Sequence, residues 1–238
     1  MKKRDYVLEI LEKKRHLKSP LDGFNRIYDR IYNISLLENF YEEALVGGFS
    51  DNEEIESELE VFAPAFLEGI KYVPVGLVAC IESFFRILFA KLIDVDTIYK
   101  DNAAKFDIKY SLRTAVDLEA NRLTIGEFIS HLLKVNNIED IGSNMTQILG
   151  EDFFKSFKKW RKDLDIRVEL FPLSDNEKDS WLFNNLSTLF ELRHRICHEA
   201  YTPVSHDEIR ALISFSPHVK EFLEVTEKYV QHHIETNK

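Results

Sequence analysis

The stretch that decides the fold class is residues 75–93, VGLVACIESFFRILFAKLI. Its positions are apolar on nearly every side of a helix, and its only charged residues are Glu82, Arg86 and Lys91. A helix that is apolar nearly all round is normally buried among other helices. The three charges argue against a membrane span, because charged groups are costly inside lipid. We therefore predict that this stretch forms the central helix of a soluble domain.

Amphipathic helices are predicted on both sides of the central helix. Apolar residues recur at spacings of three and four, the helical period, over residues 21–46, 124–135 and 181–200. We also predict a short basic helix or arm at 2–18, and helices that start at Asn144 and at Pro217. Capping boxes, in which Ser or Thr precedes Glu by three positions, predict helix starts at residues 50–53, 124–127, 174–177 and 205–208.

Two stretches lack a helical period. Residues 94–122 are predicted to form a mostly surface connection, and residues 168–171 an isolated strand or an extended link. The chain has only 8 Gly and 6 Pro, which favours helices over a turn-rich β fold. The fold class predicted from these patterns is all-α.

Net charge and cysteine usage limit the classes of partner and compartment. The formal net charge of −10 argues against a protein that coats nucleic acid non-specifically, so a polyanion must meet a local basic patch. Cys80 and Cys197 form neither a CxxC pair nor a disulfide framework. The N-terminus lacks the apolar core of a signal peptide. We predict a cytoplasmic protein that is not attached to a membrane.

A basic patch lies at residues 155–162. Lys158, Lys159 and Arg161 are predicted to contact RNA, with the indole of Trp160 stacking on a base. The same stretch also fits a plain amphipathic helix whose aromatic face packs into the core, and this second interpretation is the simpler one. The aromatic residues of that face are Phe153, Phe154, Phe157 and Trp160.

The stretch whose side chains are best suited to catalysis is Arg193-His194-Arg195-Ile196-Cys197-His198, near the end of a predicted helix. His194 and His198 are one turn apart and share a stripe, with Arg193 beside them. Two imidazoles and a permanent cation suit proton transfer next to an anion. Two alternatives remain open. The cations could simply bond the last carbonyls of the helix, or the two histidines could be metal ligands, although we predict no bound metal.

This hexapeptide resembles the Arg-polar-x-x-x-His signature of the HEPN superfamily, helical-bundle proteins that include metal-independent ribonucleases. Residues 79–86, a Glu-centred apolar run, are similar to the second long helix of that family. The resemblance implies an all-α, HEPN-like helical bundle over residues 20–238. Residues 1–19 are then an N-terminal helical appendage, a basic arm or helix.

The resemblance also implies a reaction, in which the RNA 2′-hydroxyl attacks its own phosphodiester without any cofactor. His198 acts as general base or acid, Arg193 neutralises the transition state, and His194 orients the phosphate or shares the proton transfer. Arg195 is expected to contact RNA. Glu82 and Arg86 are expected to support the motif helix, although an i,i+4 ion pair between them explains their spacing equally well.

The partners implied by the resemblance are RNA, a second copy of the chain across a two-fold axis, and an antitoxin or defence protein. The setting that it implies is a toxin–antitoxin or phage-defence system. The competing interpretation is a non-catalytic interaction protein, in which a degenerate HEPN domain binds a protein or RNA partner without cutting.

Overall fold

The computed structural model describes residues 5–15, 19–46, 68–163, 178–198 and 215–237. Every regular element in these ranges is an α-helix, which confirms the predicted all-α class. The helices are α1 (Tyr6–Lys14), α2 (Pro20–Val46), α3 (Val73–Val95), α4 (Thr97–Ala103), α5 (Leu112–Ala120), α6 (Ile125–Leu132), α7 (Ile138–Leu149), α8 (Phe153–Asp163), α9 (Lys178–His198) and α10 (Phe215–Thr236).

The chain divides into two compact units. Unit 1 contains Met1–Ile27, Glu82–Ile166 and Thr226–Lys238. Unit 2 contains Tyr28–Ile81 and Arg167–Val225. Helices α2, α3 and α10 each contribute one part to unit 1 and the other part to unit 2.

Helix α3 is buried along the stretch that was predicted to be central. Fully burying one side chain of the size of leucine or phenylalanine stabilises a fold by about 1.5–3 kcal/mol. By length and composition alone, Glu68–Val95 could also cross a membrane. In the structure 56% of its most apolar window is buried, and most of the large apolar side chains of α3 are among the buried residues. Those without exposed surface are Leu77, Val78 and Ile81 in unit 2, and Phe84, Phe85, Leu88, Phe89, Leu92 and Ile93 in unit 1.

The N-terminal helix α1 lies within the predicted basic segment and packs into unit 1. Val7 and Ile10 share a buried cluster with Leu118, Leu123 and Phe128, which come from α5, the turn after it and α6. The apolar side of α1 is therefore part of a core. The predicted boundary between residues 1–19 and 20–238 stays a prediction.

Residues 94–122 lie mostly at the surface, as predicted, but the prediction that they lack regular structure was wrong. Two short helices, α4 and α5, occupy most of it. The Asp96 side chain accepts a hydrogen bond from the Ile98 N–H and caps α4, and Ser111 caps α5 through the Thr114 N–H. Tyr99 is buried. These helices are too short to show a periodic apolar pattern, so their N-cap residues are the signal in the sequence that indicates them.

The helix predicted to start at Asn144 starts earlier, as α7. Asn137 caps it by accepting a 2.6 Å hydrogen bond from the Asp140 N–H. Asn144 lies inside the helix and is buried, and its amide donates to the Lys134 carbonyl oxygen at 2.6 Å. An interior Asn is tolerated here because a carbonyl outside the helix satisfies its side chain.

The capping box at Thr124 and Glu127 is confirmed, with both of its hydrogen bonds present. The boxes predicted at 50–53, 174–177 and 205–208, and the strand or link predicted at 168–171, lie outside the described residues.

The final helix, predicted to start at Pro217, begins at Phe215. Pro217 therefore lies in its first turn, where the missing backbone N–H of proline costs little.

Candidate functional site

The motif residues lie on the polar side of α9, in unit 2. Between Asn184 and His198 the buried side chains of α9 are all apolar: Leu186, Leu189, Phe190 and Leu192. His194 and His198 are exposed, and Arg193 and Arg195 are half-buried. One helix face therefore anchors α9 in the core, and the other presents the two histidines to solvent.

The rings of His194 and His198 lie side by side. Their centroids are 4.8 Å apart and their planes are inclined by 48°. In the described ranges, neither imidazole has a hydrogen bond or an ion pair. Both rings are thus available to a substrate and close enough to contact neighbouring atoms of one phosphodiester group.

Arg193 and Arg195 flank the two histidines, and both side chains take part in interactions within the chain. Arg195 and His198 belong to the last turn of α9, where a cation is stabilised by the helix dipole. The structural role considered from the sequence and the anion-binding role both fit this position. A test of the motif must therefore measure folding and activity together.

Arg86 in unit 1 holds the end of helix α6. Its Nη1 donates to three carbonyl oxygens, those of Ser130 at 2.8 Å, His131 at 3.2 Å and Leu133 at 3.2 Å. One guanidinium thus satisfies carbonyls that the end of a helix leaves without partners. The predicted support of the motif helix by Glu82 and Arg86 stays a prediction.

Asp94, two turns further along α3, holds the other end of α6. Its Oδ1 accepts a 3.0 Å hydrogen bond from the Gly126 N–H. A Cβ at Gly126 would lie 2.5 Å from the Ala90 carbonyl oxygen, so only glycine permits this close approach. Asp94 and Arg86 therefore fasten α6 antiparallel to α3.

Replacing Arg86 tests this role. We expect Arg86→Met to lower the free energy of unfolding by about 2–3 kcal/mol, because half-buried carbonyls lose a charged donor. Arg113→Met is the matched control, since Arg113 is exposed and, among the described residues, forms only an i,i+4 ion pair with Asp117. Its loss should cost about 0.5 kcal/mol or less. Urea unfolding measures both variants, and equal stabilities would contradict the role given to Arg86.

A groove of about 860 Å³ lies beside Arg86, entirely within unit 1. One face of α3, including Glu82, forms its floor, and α1 and α6 form its walls. Much of its polar lining is used in holding these helices together. Lys14 pairs with Glu127 at 2.6 Å, and His131 Nε2 pairs with Glu9 at 2.8 Å. We therefore assign the groove a structural role.

Helix α8 carries the predicted basic patch, and its aromatic face is buried as the simpler interpretation expected. Phe153 and Phe157 are buried, and the Trp160 indole contacts the rings of Phe157, Tyr229 and His232. Arg161 is only 6% exposed, with its guanidinium 5.8 Å from the Phe157 ring centre. Lys159 is exposed and Lys158 half-buried. Of the three cations predicted to contact RNA, the accessible ones are therefore the two lysines rather than Arg161.

A polar network in unit 1 was missed from the sequence. The Tyr99 hydroxyl lies 2.9 Å from His233 Nδ1, and Glu151 Oε1 lies 3.3 Å from His233 Nε2. The Tyr229 hydroxyl donates to the same Glu151 oxygen at 2.8 Å. Burial lowers the pKa of His233 and raises the pKa of both tyrosines. Because these groups satisfy one another and both tyrosines are buried, the network is structural.

Metal ligation has no support among the side chains that the structure describes. No group of three or more His, Cys, Asp or Glu residues in those ranges could hold a metal ion. Glu199 and His206, which could have joined His194 and His198, lie outside them. The absence of a bound metal stays a prediction.

A sequence comparison adds independent information on the chain. The model of the RiboL-PSP-HEPN family matches residues 25–232, a range that includes the whole hexapeptide 193–198. No curated protein and no solved structure was found to match the chain.

Proposed function

The chain belongs to the RiboL-PSP-HEPN family, and from that membership we propose that it is a metal-independent endoribonuclease. The observation that carries the proposal is the pair of exposed imidazoles, 4.8 Å apart, beside Arg193 on one helix. With Arg193 they match the Arg-polar-x-x-x-His signature of the HEPN superfamily that the hexapeptide resembles. A bound RNA phosphate would meet two groups able to move protons and one permanent cation.

The reaction is an internal transfer that needs no added nucleophile. The RNA 2′-oxygen attacks the adjacent phosphorus while one imidazole, in its neutral form, takes the hydroxyl proton. The bond from phosphorus to the 5′-oxygen breaks, and that oxygen receives a proton from the second imidazole in its protonated form. Arg193 neutralises the charge that builds up on the phosphoryl oxygens. The products are a 2′,3′-cyclic phosphate and a 5′-hydroxyl.

The roles of the two histidines follow the family signature. His198 is the principal base or acid, and His194 orients the phosphate or takes the second proton transfer. Arg195, Lys158 and Lys159 contribute contacts to the RNA backbone through their charge.

The proposed assembly is a homodimer in the cytoplasm, in which the motif helices of two subunits share one cleft across a two-fold axis. A toxin–antitoxin or phage-defence system is the proposed setting. An antitoxin or another defence protein then restrains the activity.

A second candidate function is a non-catalytic interaction protein, and one observation favours it. Tyr32, Leu36 and Phe40 recur at every fourth position of α2 and are each about half exposed. An exposed apolar stripe of this kind is typical of surfaces that bind other proteins. This candidate predicts a folded protein that leaves RNA intact.

RNA cleavage in excess EDTA tests the proposed function. We expect the purified protein to cut single-stranded RNA at the same rate with and without EDTA, because the nucleophile is the RNA's own 2′-hydroxyl. The matched control is the same oligonucleotide with 2′-deoxyribose at the cleaved position, which should remain intact. Loss of cleavage in EDTA would indicate a metal site instead, and a folded protein without activity would favour the interaction protein.

A further inference from the structure

Glu191 lies one helical turn before His194 on the exposed side of α9. It is the only acidic residue among the α9 side chains that the structure describes, 184–198. Within the ranges given above, its carboxylate has neither a hydrogen bond nor an ion pair. An exposed carboxylate beside the proposed phosphate site is unexpected, because it repels the phosphate and is given no role by the reaction itself.

Glu191 belongs to a continuous polar stripe that leads into the site. Its Cα lies about 4.5 Å from that of His194 and about 10.5 Å from that of His198 along the helix axis. Residues three apart on a helix are neighbours on its surface, so Glu191 and His194 lie next to each other on this stripe. A base attached to a phosphate at the histidines can therefore reach this carboxylate. The exposed residues of the stripe are Asn184, Thr188, Glu191, His194 and His198.

The chemistry of a carboxylate selects among the four RNA bases. It offers two acceptor oxygens side by side and no donor. Guanine is the only standard base that presents two adjacent donors, N1–H and the 2-amino group, on its Watson–Crick edge. Adenine and cytosine pair a single amino donor with a ring acceptor, and uracil places its N–H between two carbonyl oxygens. Unpaired RNA bases are read along this edge.

We propose that Glu191 is a specificity-determining residue that accepts two hydrogen bonds from a guanine next to the scissile phosphate. This inference rests on the proposed ribonuclease function. The two bonds to guanine offset the repulsion between the carboxylate and the phosphate, whereas the other bases leave that repulsion uncompensated. Glu191 thus favours one base by attraction and disfavours the other three.

The test compares the cleavage sites of wild-type protein and Glu191→Gln in a pool of random-sequence RNA in EDTA, read by sequencing of the product ends. Glutamine keeps the size of the side chain but has one acceptor and places an amino donor against a guanine donor. We expect wild-type cuts to be enriched next to guanine. We expect this enrichment to be about tenfold lower for Glu191→Gln, which should still cut other sites. Glu119→Gln, which removes a charge from an exposed position on α5, should match the wild type.

The outcomes separate the inference from the function on which it rests. If wild-type protein cuts RNA without guanine enrichment, or if Glu191→Gln keeps the wild-type pattern, the inference is wrong and the ribonuclease function stands. A folded Glu191→Gln protein that cuts nothing would place Glu191 in the chemistry and also overturn base selection. If wild-type protein cuts no RNA at all, the proposed function fails and the inference fails with it.

Discussion

His198→Ala is expected to fold like the wild-type protein and to cut RNA at least about a hundredfold more slowly, since positioned acid–base groups contribute about 10²–10⁴-fold in rate. His198 is exposed at the end of α9 and contacts only His194 among the described rings, so its removal leaves no cavity in the core. Cleavage rates on one RNA oligonucleotide and thermal unfolding measure the two properties separately.

The control for this substitution is His232→Ala. His232 is also an exposed histidine near a helix end, but it lies on α10 beside Trp160. It should keep wild-type activity. If His198→Ala unfolds the protein, the residue is structural. If it folds and still cuts at the wild-type rate, the assigned proton transfer is wrong.

Arg193→Ala should reduce cleavage by about 10²–10³-fold, the loss typical when one donor to a transition-state anion is removed. Arg193→Lys should recover only part of the activity, because lysine keeps the charge but cannot give the planar, bidentate contact of a guanidinium. Arg193 is half-buried, so each rate must be compared with the variant's own unfolding temperature.

Arg195→Ala is the matched control for Arg193→Ala. Both arginines are half-buried, and they are two positions apart, which places them about half a turn from each other around α9. We expect Arg195→Ala to weaken RNA binding modestly and to leave most of the cleavage rate intact. Equal losses for Arg193→Ala and Arg195→Ala would indicate a general effect of positive charge rather than a specific contact.

The long helices were predictable from the sequence because burial acts on whole helical faces. The apolar run 75–93 predicts α3 because a mostly buried helix carries apolar residues at most of its positions. The connection at 94–122 could not be predicted in the same way. Helix α4 has seven residues, about two turns, and its helical form depends on the Asp96 cap and on burial of Tyr99.

The candidate site was found because its residues are local in sequence. Arg193, His194 and His198 lie within two turns of one helix, where spacing alone fixes which side chains are neighbours. The role of Arg86 was not predictable, because its acceptors lie 44 to 47 positions further along the chain. The contact between Tyr99 and His233, across 134 positions, likewise depends on the tertiary fold.

The measurement that tests the central claim most directly is the chemical identity of the product ends. Wild-type protein, incubated with RNA in EDTA, is predicted to leave a 2′,3′-cyclic phosphate on one fragment and a 5′-hydroxyl on the other. His198→Ala, prepared in parallel, is predicted to leave neither above background. Fragments that carry a 5′-phosphate and a 3′-hydroxyl, or cyclic phosphate formed equally by both proteins, would contradict cleavage by the 2′-hydroxyl at this histidine.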